Sequence, residues 1–335
     1  MQATVSFISS LDRDIWSFNP RSRVIAFARS GLALSQLLTL LFTPATHLYE
    51  VPILGQPPTG QCTKFTEQLS LFCVAGELPD DIIQILMVLG LVIVISGLLP
   101  RVTSVLHFWI SYSFAHAVAL PDGGDTVLIF TTFFLMFVCL PDSRLWQWAQ
   151  TKSSVTVRSG ALQGISWAAH WALRCQVAYI YLHSALAKLS VANWSEGSAL
   201  YYIVRGEFFG TANFLQDLVF SLTSIPILAL ALSWGTIILE CLIAGSVLSK
   251  RPVVQTVGFV ACAMLHVGII AFIGIWSFAL AMIFSVMIAG SRGLAPVVHG
   301  HWLRTPRLAK PKLSRPRNEQ RRPAAGRPPG GPETW

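Results

Sequence analysis

The sequence predicts an all-α integral membrane protein with about eight transmembrane helices and both termini cytoplasmic, on three observations. The 335 residues are 53% hydrophobic and 12% charged, with a mean hydropathy of +0.58, where a soluble domain carries about 25% charged residues. Eight apolar stretches approach the roughly 20 residues that a helix needs to cross a bilayer. Basic residues fall in alternate connections, the asymmetry that orients such spans.

Taken in order, residues 1–23 read as a cytoplasmic segment. Asp12, Arg13, Asp14 and Pro20 interrupt any apolar run there, so no cleavable signal sequence is expected, and Phe7–Phe18 is only weakly amphipathic. Residues 24–290 form one transmembrane domain. Its spans are expected at Val24–Thr43, Asp81–Leu99, Val102–Leu120, Thr126–Leu140, Trp167–Leu189, Ile225–Leu248, Val253–Ile270 and Phe272–Ala289. The fourth is short, and the last two make a tight hairpin around Phe272-Ile273-Gly274. Arg13, Arg21 and Arg23 precede the first span, Arg101 lies between the second and third, Arg144, Lys152 and Arg158 follow the fourth, and Lys250 and Arg251 separate the sixth and seventh. The opposite connections carry acids instead, among them Glu50, Glu67, Glu77, Asp80, Asp122, Asp125, Glu196, Glu207 and Asp217. Residues 291–335 hold ten Lys and Arg among Pro and Gly, which predicts a disordered basic tail against anionic lipid. The net charge of +8 sits mostly in that tail, so it argues for membrane lipids as partners and not for nucleic acid.

Two outward loops are expected, 44–80 and 190–223. The first carries Cys62 and Cys73, which on an oxidising face are expected to form a disulfide, worth about 3 kcal/mol for a loop of that size. Cys139, Cys175, Cys241 and Cys262 fall inside spans as small apolar residues. No CxxC or metal-ligand spacing occurs, so no metal is assigned. The second loop interleaves Trp194, Tyr201, Tyr202, Phe208, Phe209 and Phe214 with Glu196, Arg205, Glu207 and Asp217. That pattern reads either as an interfacial aromatic belt or as the lining of a substrate cleft. The two halves show no repeat, which weighs against a transporter.

Polar residues at membrane depth carry the functional signal, because each is costly there. Lys188 and His183 fall in the outer half of the fifth span, His116 in the outer part of the third, and His266 in the outer half of the seventh. Arg29, Arg174 and His107 lie nearer the cytoplasmic side, where snorkelling is easy. Glu240, near mid-depth, needs a partner or a proton, with Arg174 or a histidine as its candidate. Tyr181, Ser184 and Lys188 share one helical stripe, whereas His183, about 140° away, does not. Lys188 reads either as a snorkelling anchor or as a working amine: a desolvated lysine can act as a general base, or it can anchor an acidic group, either Glu240 or a ligand carboxylate. Asp122 and Asp125, in Pro121-Asp122-Gly123-Gly124-Asp125, make an outward turn that either serves turn chemistry or contacts substrate.

These residues resemble a known family. Asn19-Pro20-Arg21 ahead of Ala28-Arg29-Ser30-Gly31-Leu32, the cysteine-bearing loop, the Pro-Asp-Gly-Gly-Asp turn, and Tyr181 to Leu189 leading to Trp194 and Gly197 are similar to the sporulation-delaying protein B family, over roughly residues 15–290. That family sits in the horizontally transferred transmembrane domain group, related to the membrane part of vitamin K-dependent gamma-carboxylase. Lys188-Leu189 and Trp194-Ser195-Glu196-Gly197 resemble the carboxylase motif whose lysine is its proposed base. The resemblance implies a multi-pass bacterial inner-membrane protein, needed with a small partner protein to mature a secreted antimicrobial peptide toxin from its precursor. Lys188, His183 and Glu240 are the expected catalytic group; Asp122, Asp125, His116, Trp194 and Glu196 are the expected substrate contacts. The alternatives are a carboxylase-like, quinone-dependent enzyme and a transporter or immunity protein; the cofactor is otherwise unassigned.

Overall fold

A computed structural model describes residues 2–50, 62, 64–149, 160–206, 211 and 213–298. The expectations for the proline-rich part of the first loop, for Glu207, Phe208 and Phe209, and for residues 299–335 lie outside the described residues. Within them the protein is all-helical, in the order α1 (Gln2–Ser17), α2 (Arg23–Phe42), α3 (Ala45–Tyr49), α4 (Phe65–Gln68), α5 (Leu71–Val74), α6 (Asp80–Ser96), α7 (Pro100–Ala117), α8 (Gly123–Val138), α9 (Gly160–Leu189), α10 (Ala192–Ser195), α11 (Ala199–Ile203), α12 (Asn213–Thr223), α13 (Pro226–Leu248), α14 (Pro252–Ile273), α15 (Trp276–Ala289) and α16 (Ser291–Val298). A helix thus stands at each of the eight apolar stretches. Three of them, α2, α13 and α14, are long and apolar enough to cross a membrane by length and composition.

The helix ends follow local chemistry. Ser22 accepts from the Ile25 amide to start α2, and Pro100, Pro226 and Pro252 occupy the first turns of α7, α13 and α14, where a missing N–H costs nothing. The last hairpin turns later than the sequence predicted. α14 runs on through Ile273 to Gly274, whose φ of +83° ends it, and α15 begins only at Trp276. A left-handed glycine is the stronger stop there.

Neighbour relations make a ring in chain order. α2 packs on α6, α6 on α7, α7 on α8, α8 on α9, α9 on α13, α13 on α14, α14 on α15, and α15 back on α2. α15 also touches α8 and α9, so it fills the middle. Its Ala279, Ala281, Met282, Ser285, Val286, Ile288 and Ala289 are all buried, which suits a short helix that is apolar all round. By contrast α14 turns Val253, Val257, Val260, Met264 and Val267 outward as an exposed apolar stripe, as a lipid-facing helix would. Three apolar cores result among the described residues: one among α2, α8, α9, α13 and α15, one among α2, α6 and α7, and a small one where α11 meets α12.

Two buried cations behave differently from the snorkelling reading. Arg29 is 1% exposed and donates to the carbonyls of Val94 (3.3 Å) and Pro100 (3.1 Å), to Thr103 (3.0 Å) and to Gln147 (3.0 Å). Arg174, also 1% exposed, donates to the carbonyls of Val247 (2.8 Å) and Ser249 (2.6 Å) and lies over the Trp171 ring. Each therefore plugs the C-terminal carbonyls of a neighbouring helix, α6 or α13, where the helix dipole is negative. Arg205, half-buried, does the same for α12, donating to Phe220 O (2.8 Å). His107 is fully buried as well. The arginine donors find acceptors inside the bundle, so those side chains have no need to reach water.

Both ends of the domain carry more structure than the sequence suggested. α1 is a full helix docked on α9, with Gln163 donating to Ile15 O (2.9 Å) and Phe18 O (2.7 Å) and Lys250 paired with Asp14 (2.7 Å). The expected tail begins as helix α16, because Leu294 is buried and the Gly293 amide donates to Gln255 Oε1 (2.8 Å). Cys62 and Cys73 form a disulfide. Leu69 and Leu71, between the two cysteines, fold back on α7, with Trp109 donating to Leu69 O (2.8 Å) and Ser113 accepting from the Leu71 amide (2.9 Å).

Candidate functional site

Lys188 stands in the last turn of α9, and Glu240 in the middle of α13, the helix that packs most closely on it. Lys188 Nζ donates to Glu240 Oε1 (2.8 Å) and Oε2 (2.9 Å) and to Ser184 Oγ (2.6 Å), one turn back on α9. Ser184 in turn donates to Glu240 Oε1 (3.1 Å). All three ammonium protons are thereby engaged, and the side chains are 18% and 9% exposed. The Trp194 ring lies 5.2 Å from Nζ and adds a cation–π contact. Arg174, a sequence candidate for the partner of Glu240, caps α13 instead; Lys188 takes that place. Lys188 is held by a carboxylate at the edge of the bundle.

The loop after α9 forms a roof over this pair. Gly197 has φ +82°, and a Cβ there would meet the Leu230 backbone at 3.0 Å, so the tight approach of the loop to α13 requires glycine. Ser233 of α13 pins the loop by donating to Gly197 O (3.1 Å) and accepting from the Leu200 amide (3.4 Å). Beneath it a cavity of about 500 Å³ opens between α9, α13 and α14, an ordinary size for a small-molecule or side-chain site. Ser184, Lys188, Thr236 and Glu240 supply its polar wall; the rest is apolar, with Leu239, Leu265, Ile269 and Phe272 prominent. Behind the pair the stripe continues inward: Tyr181 meets Cys262 Sγ at 3.2 Å, and His266 Nδ1 lies 3.0 Å from Cys262 O. The arrangement is a fixed charge pair set into an apolar wall, suited to holding one polar group of a largely apolar ligand.

The expected site residues divide into two groups. Lys188, Glu240 and Trp194 are brought together. His183 is exposed and packs on Tyr179 (5.5 Å), because it lies off the stripe that faces α13. His116 is exposed on α7 with Nδ1 2.8 Å from Tyr112 O. Glu196 is an exposed C-cap of α10. Asp122 and Asp125 form a reciprocal capping box at the start of α8, with Asp122 Oδ1 accepting from the Asp125 amide (2.9 Å), and Ser277 donates to Asp122 (3.0 Å). They line a separate, small cavity and not the one at Lys188. Thr236 and Cys262 escaped the sequence reading, since a threonine or cysteine within an apolar run carries no signal until the facing helix is known.

Comparisons place this geometry in a lineage. No family model matches the chain, and no solved structure gives a significant match. The sporulation-delaying protein SdpB of Bacillus subtilis is 29% identical over 286 residues, covering 85% of this chain and 86% of that one. An uncharacterized protein of the same organism, YitO, is 30% identical over 266 residues, covering 79% of this chain and 84% of its own. Alignment at that level along nearly the whole helical domain places the chain in the sporulation-delaying protein family.

Proposed function

We propose that this chain is a multi-pass protein of the bacterial inner membrane that matures or produces a secreted antimicrobial peptide toxin, acting on the toxin precursor with a small partner protein. In this reading residues 24–290 cross the membrane eight times, both termini are cytoplasmic, and the Lys188–Glu240 pair faces the outer leaflet. The family relation to SdpB supports the setting. The observation that carries the site is the partly buried Lys188–Glu240–Ser184 cluster in the wall of the apolar cavity. A precursor segment with a polar group beside an apolar stretch is held with that group at the pair and the stretch against Leu265, Ile269 and Phe272.

A second reading, favoured by the likeness of Lys188-Leu189 and Trp194 to Gly197 to the carboxylase motif, makes Lys188 a base. With its three protons engaged, Lys188 accepts none until one has moved from Nζ to a Glu240 oxygen, leaving a neutral amine and a carboxylic acid. The two readings separate in one experiment: toxin output from cells carrying wild type, Lys188→Ala or Lys188→Arg, with membrane levels measured in parallel. An anchoring pair loses output in Lys188→Ala and keeps part of it in Lys188→Arg, since a guanidinium still pairs with Glu240. A base loses output in both, because arginine stays protonated. Normal output from both variants at normal levels overturns the site.

A further inference from the structure

The hydrogen bonds of the Lys188 cluster leave a particular set of valences open toward the cavity. Lys188 commits all three of its protons, two to the Glu240 oxygens and one to Ser184. Glu240 Oε1 accepts twice, from Lys188 and from Ser184, whereas Oε2 accepts only from Lys188 among the described residues. Each carboxylate oxygen has two lone pairs, so one on Oε2 stays open. Thr236 stands one turn before Glu240 on the same face of α13. It donates to Leu232 O (2.9 Å), and its oxygen is free to accept from the cavity. Among the polar side chains of the wall, the Trp194 indole N–H is the one donor with no protein acceptor among the described residues. The wall therefore calls for a ligand that donates, and offers it one donor in return. Charge narrows the class further, since the Lys188–Glu240 pair is neutral as a whole. A ligand ammonium would add an unpaired charge to an apolar cavity. A ligand carboxylate would have to displace Glu240 from Lys188 and leave it bare, and either outcome is costly. A carboxamide brings two N–H donors and a carbonyl acceptor without charge, which matches the open valences.

We propose that this cavity binds the carboxamide of an Asn or Gln side chain, carried by an apolar, membrane-embedded segment of the precursor that enters between α13 and α14. The entry follows from the surface. Met264 lines the cavity and also belongs to the outward stripe of α14, where it is 62% exposed. Ala231 of α13 lines the cavity and is exposed as well. The cavity thus reaches the outer side of the bundle between these two helices, while Trp194, Leu200 and Ile203 cover it at the loop end. Gly235 of α13 and Gly268 of α14 both line it. A Cβ at Gly235 would meet nothing within 4 Å, and one at Gly268 would meet only the Phe272 ring, at 4.0 Å. The two helices therefore leave the gap between them free of side chains at this level. The inference deepens the reading of the pair as the precursor's anchor and rests on it for the identity of the occupant; the need for a donor comes from the hydrogen bonds alone.

The test is photolabelling of the full-length protein in lipid nanodiscs with three diazirine-bearing alkyl probes of equal chain length, the sites being mapped by mass spectrometry. One probe ends in a primary carboxamide, one in its N,N-dimethyl analogue, which has no N–H, and one in a sulfonate, a fixed anion. The primary amide is expected to label Leu239, Leu265 or Ile269 at least about fivefold more than either of the others, the factor that one net hydrogen bond gives. Gly235→Phe fills open space and is expected to abolish that labelling. Thr236→Val keeps the shape of the wall and is expected to bring the primary amide down toward its dimethyl analogue. Equal labelling by the three probes, or an amide preference that survives Thr236→Val, overturns the need for a donor. Labelling unchanged in a folded Gly235→Phe protein overturns the entry between α13 and α14. Toxin output from Gly235→Phe cells separates the inference from the reading it rests on. Lost labelling with normal output at normal membrane levels overturns the precursor as occupant and leaves the amide preference to another lipid-phase molecule; output lost together with labelling supports both.

Discussion

At the scale of single residues the energetics of Lys188 and Glu240 are coupled. An ion taken out of water costs several kcal/mol unless its partner is in place, so removing one member of a buried pair costs about 3–5 kcal/mol, while replacing both by apolar residues is often near neutral. Glu240→Ala is therefore expected to lower the thermal midpoint of the protein in detergent by several degrees, and the Lys188→Met, Glu240→Leu double variant to recover most of that loss. A double variant no more stable than Glu240→Ala means the two charges are not coupled. Lys188 was legible in the sequence because an ammonium at the end of an apolar run has few bland explanations. Its partner was one of several candidates there, since Glu240 lies 52 residues away, and only the packing of α13 on α9 pairs it with Lys188 and not with Arg174. The separation of His183 was legible, since its helical phase already set it apart from the Lys188 stripe.

Among the elements, the helix ends are where this protein spends its buried cations. Arg29 satisfies two carbonyls and two side chains at the junction of α6 and α7, and each buried acceptor left bare costs about 1–3 kcal/mol. Arg29→Ala is expected to destabilise by at least about 3 kcal/mol, and Arg29→Lys to rescue little, since one ammonium cannot span acceptors arranged for a planar fork. Equal unfolding midpoints for wild type and Arg29→Lys exclude that account. The docking of α1 carries a pH dependence. Lys250, hydrogen-bonded to Asp14, holds the Asp14 carboxyl below its ordinary 3.8. A depressed carboxylate pKa stabilises at pH above the unfolded value, and that contribution is lost as pH falls through the folded value, below 3.8. The effect is small, because the pair is solvent-screened. Amide exchange in residues 9–17 should quicken on acidification, and Asp14→Asn should remove the change.

Over the whole molecule, the disulfide and the charge asymmetry make the orientation testable. Cys62 and Cys73 close a loop across 11 residues, worth about 3 kcal/mol in the chain-entropy model. A membrane-impermeant reductant added to intact cells is expected to free both thiols for labelling; labelling that requires permeabilised cells places the loop inside. The sequence by itself determined the helical class, the positions of the eight apolar helices to within seven residues at their ends, and the presence of one ammonium, Lys188, at the end of an apolar run. Those are local quantities: hydropathy over a window, a proline or glycine at a helix end, one charge in an apolar run. Only the tertiary structure decided that the helices close in ring order around α15, that Lys188 meets Glu240 over an apolar cavity while Asp122 and Asp125 cap α8 elsewhere, and that α16 extends the fold past residue 290. The reason is physical. A buried charge or hydroxyl must find a partner, but helical periodicity says only which face it occupies, and which helix covers that face is settled by packing residues far apart in the chain.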